Sequence, residues 1–273
     1  MGIEQEAARL NARMRQEIPL VHNITNYVTV NDCANALLAI GASPIMADDT
    51  LEAADITSIS SALVLNIGTL NQRTVESMIL AGKKANELGL PVILDPVGAG
   101  ASDLRNKTVE KVLDQVKVTI LRGNLSEVSY VAGLSVSTKG VDTSDKDNNK
   151  DARLVALAAA KKLSCIVAVT GAVDVITDGE RVVKVSNGHP LLSKVTGTGC
   201  MTSAITGGYA GTKENAFTAA VAGILSMGIA GEIAFEKAGA LGTGSFRVAL
   251  IDALSNLNEE TIEKRAKIEE ARD

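Results

Sequence analysis

The segment Thr196-Gly197-Thr198-Gly199-Cys200 lies between a polar turn and a run of small, mostly apolar residues at 204–210. Gly197 and Gly199 each lack a Cβ atom, so peptide N–H groups there can come close to a ligand. A helix starting at this point leaves its first N–H groups unpaired at the positive end of its dipole, a setting that suits a phosphate. Cys200 adds a thiol at the same spot, where a helix N-terminus can lower its pKa. Taken alone, the pattern serves equally well as a turn into an ordinary core helix, with Cys200 a small half-buried residue. A ligand reading needs a metal side, a nucleotide side and an acceptor side elsewhere in the chain.

Candidates for each are present. Asp95 closes an apolar run and opens Asp95-Pro-Val-Gly-Ala-Gly100, and Glu127 stands three residues after Asn124. Magnesium beside phosphates takes one or two carboxylates together with waters, a task open to Asp95 and Glu127. Each also has a plainer reading: Asp95 as a loop cap, and Glu127 as a first-turn acid that suits the helix dipole. Arg122 serves as a phosphate clamp or as a solvated charge at a strand end. Thr170-Gly171 ends another apolar run. The cluster His22, Asn23, Thr25 and Asn26 follows the short apolar pair Leu20-Val21. It could meet a small polar ligand, or form a turn whose Asn side chains bond their own backbone. His189 beside Pro190 reads as a loop residue, and Cys33 and Cys165 as core. Neither G-x-x-x-x-G-K-[S/T] nor a G-x-G-x-x-G after the first strand occurs, so a nucleotide would be held by another device.

The elements that must position these residues alternate. Apolar runs at 62–68, 90–95, 118–122 and 164–170 read as strands, separated by helices at 71–89, 102–116, 124–132 and 151–162. Strands with no polar face are buried on both sides, which predicts a mostly parallel central sheet flanked by helices, a three-layer α/β fold. In such a sheet ligands bind at the strands' C-terminal ends, where Asn66, Asp95, 122–127 and Thr170 fall. Runs at 173–177 and 181–185 flank Asp178-Gly179 and predict an antiparallel edge hairpin. Helices are expected at 3–17, 31–40, about 50–59, 200–210, 214–237 and 245–257. The polar stretch 135–150 reads as a surface loop, and the charged end 258–273 as a solvated helix or a frayed tail. With no repeat and no linker visible, residues 1–273 read as one domain.

Bulk properties exclude several classes. Among 273 residues, 27 are basic and 32 acidic, for a net charge of −5; there is no Trp, with three Tyr and three Phe. Little is available to stack on bases and no basic tract tracks a phosphate backbone, so nucleic acid is not an expected partner. No uncharged apolar stretch reaches the roughly 20 residues of a membrane span, and the acidic N-terminus does not resemble a secretory signal. Three widely spaced cysteines fit a reducing cytoplasm better than a disulfide framework or a zinc site.

In order along the chain, strand–Asp95-Pro, Arg122-Gly-Asn124-x-x-Glu127, Thr170-Gly171 and Gly197-Thr-Gly-Cys200 resemble the ribokinase-like kinases. Pro19-Leu-Val-His-Asn-Ile-Thr-Asn-Tyr-Val28, Gly41-Ala-Ser-Pro-Ile-Met46, Leu94-Asp-Pro-Val-Gly-Ala-Gly100 and Val195-Thr-Gly-Thr-Gly-Cys-Met201 narrow the resemblance to the hydroxyethylthiazole kinase family. It covers nearly the whole chain except 135–150 and the C-terminal tail. The resemblance implies a ribokinase-like fold and transfer of the ATP γ-phosphoryl group, with Mg²⁺, to the alcohol of 4-methyl-5-(2-hydroxyethyl)thiazole, a step in thiamine salvage and biosynthesis. It further implies a cytoplasmic homotrimer with active sites between subunits. By motif position, Met46, Gly197 and Asn26 are implied at the thiazole, Arg122 and Thr170 at ATP, and Asp95 and Glu127 on the magnesium side. Gly197, Gly199 and Cys200 are implied at the transferring group. Cys200 stands where the wider superfamily usually carries an aspartate base. Rival readings are a ribokinase-like kinase for another heterocyclic alcohol, a nucleotide-dependent dehydratase of hydrated nicotinamide cofactors, and a non-catalytic small-molecule binder.

Overall fold

The computed structural model describes residues 2–134 and 145–271. In chain order its elements are α1 (Ile3–Glu17), β1 (Leu20–Ile24), α2 (Val30–Ile40), β2 (Ser43–Ile45), α3 (Ala53–Ser58), β3 (Ala62–Asn66), α4 (Gln72–Glu87), β4 (Val92–Asp95), α5 (Asp103–Gln115), β5 (Ile120–Asn124) and α6 (Leu125–Ala132). After residue 144 come α7 (Asp145–Leu163), β6 (Ile166–Thr170), β7 (Asp174–Thr177), β8 (Val182–Val185), α8 (Thr198–Ala210), α9 (Ala216–Ala238), α10 (Thr243–Ser255), α11 (Glu259–Arg265) and β9 (Ile268–Ala271). The described strands form one sheet in the order β2-β1-β3-β4-β5-β6-β7-β8-β9. It is parallel from β2 to β6 and antiparallel from β6 to β9.

The three layers follow from the twofold alternation of side chains along each strand. Val64, Ile93 and Ile120 face one apolar cluster, shared with α1, α2, α8, α9 and α10. Leu63, Leu65, Leu94 and Leu121 face a second, shared with α4, α5, α6 and α7. α8 is buried from Met201 to Ala210, lying between the sheet and α9. Small residues on both helices let them approach closely. α9 is long and apolar enough to cross a membrane by length and composition, yet 83% of its most apolar window is buried inside the fold, so here it serves as the core helix.

The expected buried strands, the parallel sheet and the edge hairpin are all present. Two expectations change. Within the stretch read as a loop at 135–150, residues 135–144 lie outside the described residues, and α7 already begins at Asp145. Its first two turns carry no apolar residue in the sequence, so no 3.6-residue period marks them; the buried stripe starts only at Ala152. The charged end from 258 is neither a lone solvated helix nor frayed up to residue 271: α11 is followed by β9, which pairs antiparallel with β8. A four-residue Ile-Glu-Glu-Ala strand has too little pattern to announce itself, and the exposed edge of β8 supplies the reason for it.

Candidate active site

The C-terminal ends of the parallel strands line up Asn66 opposite Asp95 and Asn124 opposite Thr170. α8 starts above this row. Its N-cap is Gly197, at φ 87°, and no side chain caps the helix. The first-turn amides therefore remain available to an anion. A Cβ on Gly197 would lie 2.7 Å from Thr29 Cγ2, and one on Gly199 would lie 2.9 Å from Arg122 Nη1. Both glycines are needed for close approach, Gly197 also for its backbone conformation.

Beneath the helix start runs a buried polar chain. Asn26 Nδ2 donates to Cys200 Sγ (3.2 Å) and to Asn66 Oδ1 (3.1 Å). Asn66 Nδ2 donates to Asp95 Oδ2 at 2.8 Å, and Ser203 Oγ donates to the same oxygen at 2.8 Å. Arg122 Nη1 stands 3.7 Å from Asp95 Oδ2, and Arg122 Nη2 donates to Thr170 Oγ1 at 2.7 Å. Asp95 Oδ1 is buried without a hydrogen-bond partner among the described residues. Burial, opposed chiefly by Arg122, raises the Asp95 carboxyl to about 6. Burial also raises the Cys200 thiol, and the charge of Asp95 adds to the effect. A helix N-terminus can lower a thiol, but here burial sets the direction and the thiol stays protonated at neutral pH.

Glu127 and Asn124 form a capping box. Asn124 Oδ1 accepts from Glu127 N (2.9 Å) and Glu127 Oε2 accepts from Asn124 N (2.8 Å). Glu127 Oε1 accepts from Gly98 N at 2.8 Å, tying the loop after β4 to α6. Glu127 thus fills the helix-cap role while its charge still faces Asp95. Met46 follows β2, half-buried against the same apolar cluster as Cys200. His22 points away from the polar chain and is buried; its Nε2 bonds Ala47 O (2.7 Å) and its Nδ1 bonds Thr57 Oγ1 (2.9 Å). It braces the chain just beyond Met46, and burial lowers its pKa.

On the other side of Arg122 opens a cavity of about 550 Å³. Arg122, Thr170 and Asp174 line one wall, the N-terminal end of α8 closes one end, and the segment 187–193 faces Ile224 and Met227 of α9. Asp174 Oδ1 accepts from Gly171 N (2.9 Å), pinning the turn after β6, and burial raises its carboxyl to about 7. His189 stacks on Phe235 with ring centroids 3.7 Å apart, more than the loop role read for it. The structure thus brings Asn26, Asp95, Arg122, Thr170, Gly197, Gly199 and Cys200 together, with Glu127 at the flank, while Met46 shares with Cys200 only the apolar cluster behind it. Sequence reasoning passed over Ser203, Thr29, Asp174 and the apolar cavity wall. Ser203 alone carried a signal, standing three residues after Cys200 and hence on the same helix face.

The family model of the hydroxyethylthiazole kinases matches residues 11–260 of this chain. The chain belongs to the hydroxyethylthiazole kinase family. A hydroxyethylthiazole kinase of Ruminiclostridium cellulolyticum is 64% identical over 267 residues, covering 97% of this chain and 98% of its own. Among solved structures, a hydroxyethylthiazole kinase from Pyrococcus horikoshii OT3 superposes with a TM-score of 0.89 at 41% identity, covering 98% of this chain and 99% of its own. A ribokinase-like superfamily protein from Enterococcus faecalis V583, at 11% identity and a TM-score of 0.61, covers 90% of this chain and 89% of its own. That likeness shows the shared ribokinase-like fold. Within the hydroxyethylthiazole kinase family, then, the thiol at residue 200 sits on a ribokinase-like frame at the head of α8.

Proposed function

We propose that this chain transfers the γ-phosphoryl group of ATP to the hydroxyl of 4-methyl-5-(2-hydroxyethyl)thiazole, a salvage step in thiamine biosynthesis. The observation that carries the reading is the uncapped start of α8, set between a nucleotide-sized cavity and the Asn26–Asn66–Asp95 chain. ATP lies in the cavity, its phosphates directed by Arg122 and Thr170 toward residues 197–200. The thiazole lies across the helix start, near Met46, Asn26 and Gly197. The alcohol oxygen bonds to the γ-phosphorus as the bond from phosphorus to the bridging oxygen breaks, ADP leaves, and the alcohol proton is released. Such a loose transfer needs position and charge neutralisation more than a strong base. A protonated thiol at Cys200 can meet that need by orienting the alcohol.

Asp95 and Glu127 would hold Mg²⁺. The orphaned Asp95 Oδ1 is a free carboxylate oxygen, and each Glu127 oxygen takes one backbone N–H, which leaves lone pairs for water. Among the described residues no cluster of three His, Cys, Asp or Glu side chains is placed to hold a metal; a cation carried in with phosphates needs fewer. When bound, Mg²⁺ would offset the charge on the phosphoryl oxygens.

We further read the chain as one kinase domain in the cytoplasm, supported by its three free cysteines. A homotrimer with sites between subunits is supported by Tyr27 and Val28, apolar residues beside Asn26 that are 78% and 56% exposed. Light scattering tests the assembly. ADP release measured with the thiazole alcohol, with pyridoxal and with a pyrimidine alcohol tests the activity: release with the thiazole alcohol alone is expected, and none with it would overturn the reading. Cys200→Ser should lower kcat by less than the factor of about 100 that loss of a general base costs at the least, with ATP affinity unchanged. An equal loss of ATP affinity and turnover would rule out an orienting role for Cys200.

A further inference from the structure

Asn66 belongs to neither the thiazole, the ATP nor the magnesium set, yet among the described residues it is the one side chain bonded both to Asn26 and to Asp95. It ends β3 and is 1% exposed. Its Oδ1 accepts from Gly68 N (2.9 Å) and Asn26 Nδ2 (3.1 Å), and its Nδ2 donates to Asp95 Oδ2 (2.8 Å). A backbone N–H can only donate, so Gly68 fixes which end of the Asn66 amide is oxygen. Thr29 does the same for Asn26, whose Oδ1 accepts from Thr29 N (3.1 Å) and Thr29 Oγ1 (3.0 Å). Flipping either amide would set N–H against N–H. The direction of every bond from Gly68 and Thr29 to Asp95 and Cys200 is therefore determined. Cys200 Sγ is an acceptor from Asn26, and Asp95 receives donors from Asn66 and Ser203 on Oδ2 only, leaving Oδ1 free.

The turn that carries Gly68 is itself braced. Arg105 of α5 donates to Ile67 O (2.7 Å), to Gly68 O (2.6 Å) and to Val97 O in the loop after β4. A rigid turn thus holds an amide whose two ends meet the two halves of the site.

We infer that Asn66 is a positioning residue for phosphoryl transfer: through Asn26 it orients Cys200 and the acceptor alcohol, and through Asp95 it orients the phosphoryl side. This rests on the proposed kinase reaction. Its content is geometric, since a misplacement of about 1 Å between reacting groups costs on the order of 100-fold in rate. Asn66 itself touches neither substrate.

The test compares Asn66→Ala, Asn66→Asp, Asn26→Ala and the double Asn26→Ala/Asn66→Ala variant with the wild-type chain. Steady-state kinetics, direct titration with ATP and thermal unfolding are measured on each. Asn66→Asp keeps the shape and both acceptor bonds and replaces the N–H donor to Asp95 with a second carboxyl oxygen, which donates only while a proton is held between the two; it serves where the alanine variant fails to fold. The expected result is a kcat reduced about 10- to 100-fold in both Asn66 variants, with the KM for ATP within about threefold of wild type. The double variant should fall no further than its worse single partner, because two members of one relay are not additive. A kcat within about threefold of wild type, a loss accounted for by ATP affinity alone, or multiplying losses in the double variant would overturn the inference. Wild-type turnover of the thiazole alcohol is measured in the same assay. Its absence overturns the proposed reaction, whereas normal turnover with the folded Asn66 variants unimpaired overturns the positioning role alone.

Discussion

The two halves of the site are built by different means. On the acceptor side, Asn26 uses both amide hydrogens and accepts twice on its oxygen, and each bond has a named partner. On the nucleotide side, the cavity wall at 187–193 and on α9 sets Gly188, Gly228 and apolar side chains such as Leu192, Ile224 and Met227 beside Asn187, His189 and Ser193. The first surface is read by side-chain identity and direction, the second by shape. A group whose hydrogen bonds are all filled by buried partners cannot be replaced without stranding one of them. The apolar part of the cavity wall tolerates exchange at constant volume.

The largest effect should come where the halves meet. Gly199→Ala places a methyl 2.9 Å from Arg122 Nη1, and either the helix start or the guanidinium must move. A fall in kcat/KM of about 100-fold or more is expected from the lost alignment. Steady-state kinetics on a folded sample check it, and near-normal turnover would mean that the junction is softer than the close contact implies.

Asp95→Asn should separate activity from stability. The Asp95 carboxyl stands at about 6 in the folded chain, above its ordinary value of 3.8. Because the folded state holds this proton more tightly, the group's contribution to stability is greatest at low pH and is lost as pH rises from about 4 through 6. An uncharged amide removes that loss. The variant should be more stable than wild type at pH 8, by up to about 3 kcal/mol, and no more stable at pH 4, while turnover collapses. Urea unfolding at the two pH values reads the sign; a variant less stable at pH 8 would contradict it.

The smallest effect belongs to the nucleotide wall. Met227→Leu, close to constant volume, should alter the KM for ATP by less than about threefold and leave the KM for the thiazole unchanged. If that exchange cost as much as the acceptor-side variants, the contrast between identity and shape would fail.

Local signals made part of this legible in the sequence. The all-apolar run Ala62-Leu-Val-Leu65 before Asn66 has no exposed face to offer, so it announced a buried strand. Asn124 and Glu127, three apart at a strand end, announced a helix start, and the capping box fulfils it. The glycines of 197–199 marked the opening of α8. Other features depend on residues far apart. The cavity wall joins 187–193 to α9 through apolar side chains, through Asn187 and Gly188 bonded to Glu232, and through His189 stacked on Phe235, pairs more than 40 residues apart. The protonated state of Cys200 follows from burial by several elements, a quantity absent from any local window. Asn66 could be placed at a strand end from its sequence, but its partners in β4 and just beyond β1 become visible only once the strands are paired.

β9 carries one further consequence, for how the chain reaches this state. Lys184 of β8 pairs with Glu269 of β9, 85 residues further on. A closure over that span comes late, because its entropy must be met before the contacts repay it. Until then β8, with Val182, Val183 and Val185, is an open edge rich in β-branched residues, the kind of template onto which another chain can add a strand. The short C-terminal strand covers that edge: it ends the sheet with a segment of the same chain, bearing Glu269 and Glu270, charges that disfavour a further strand.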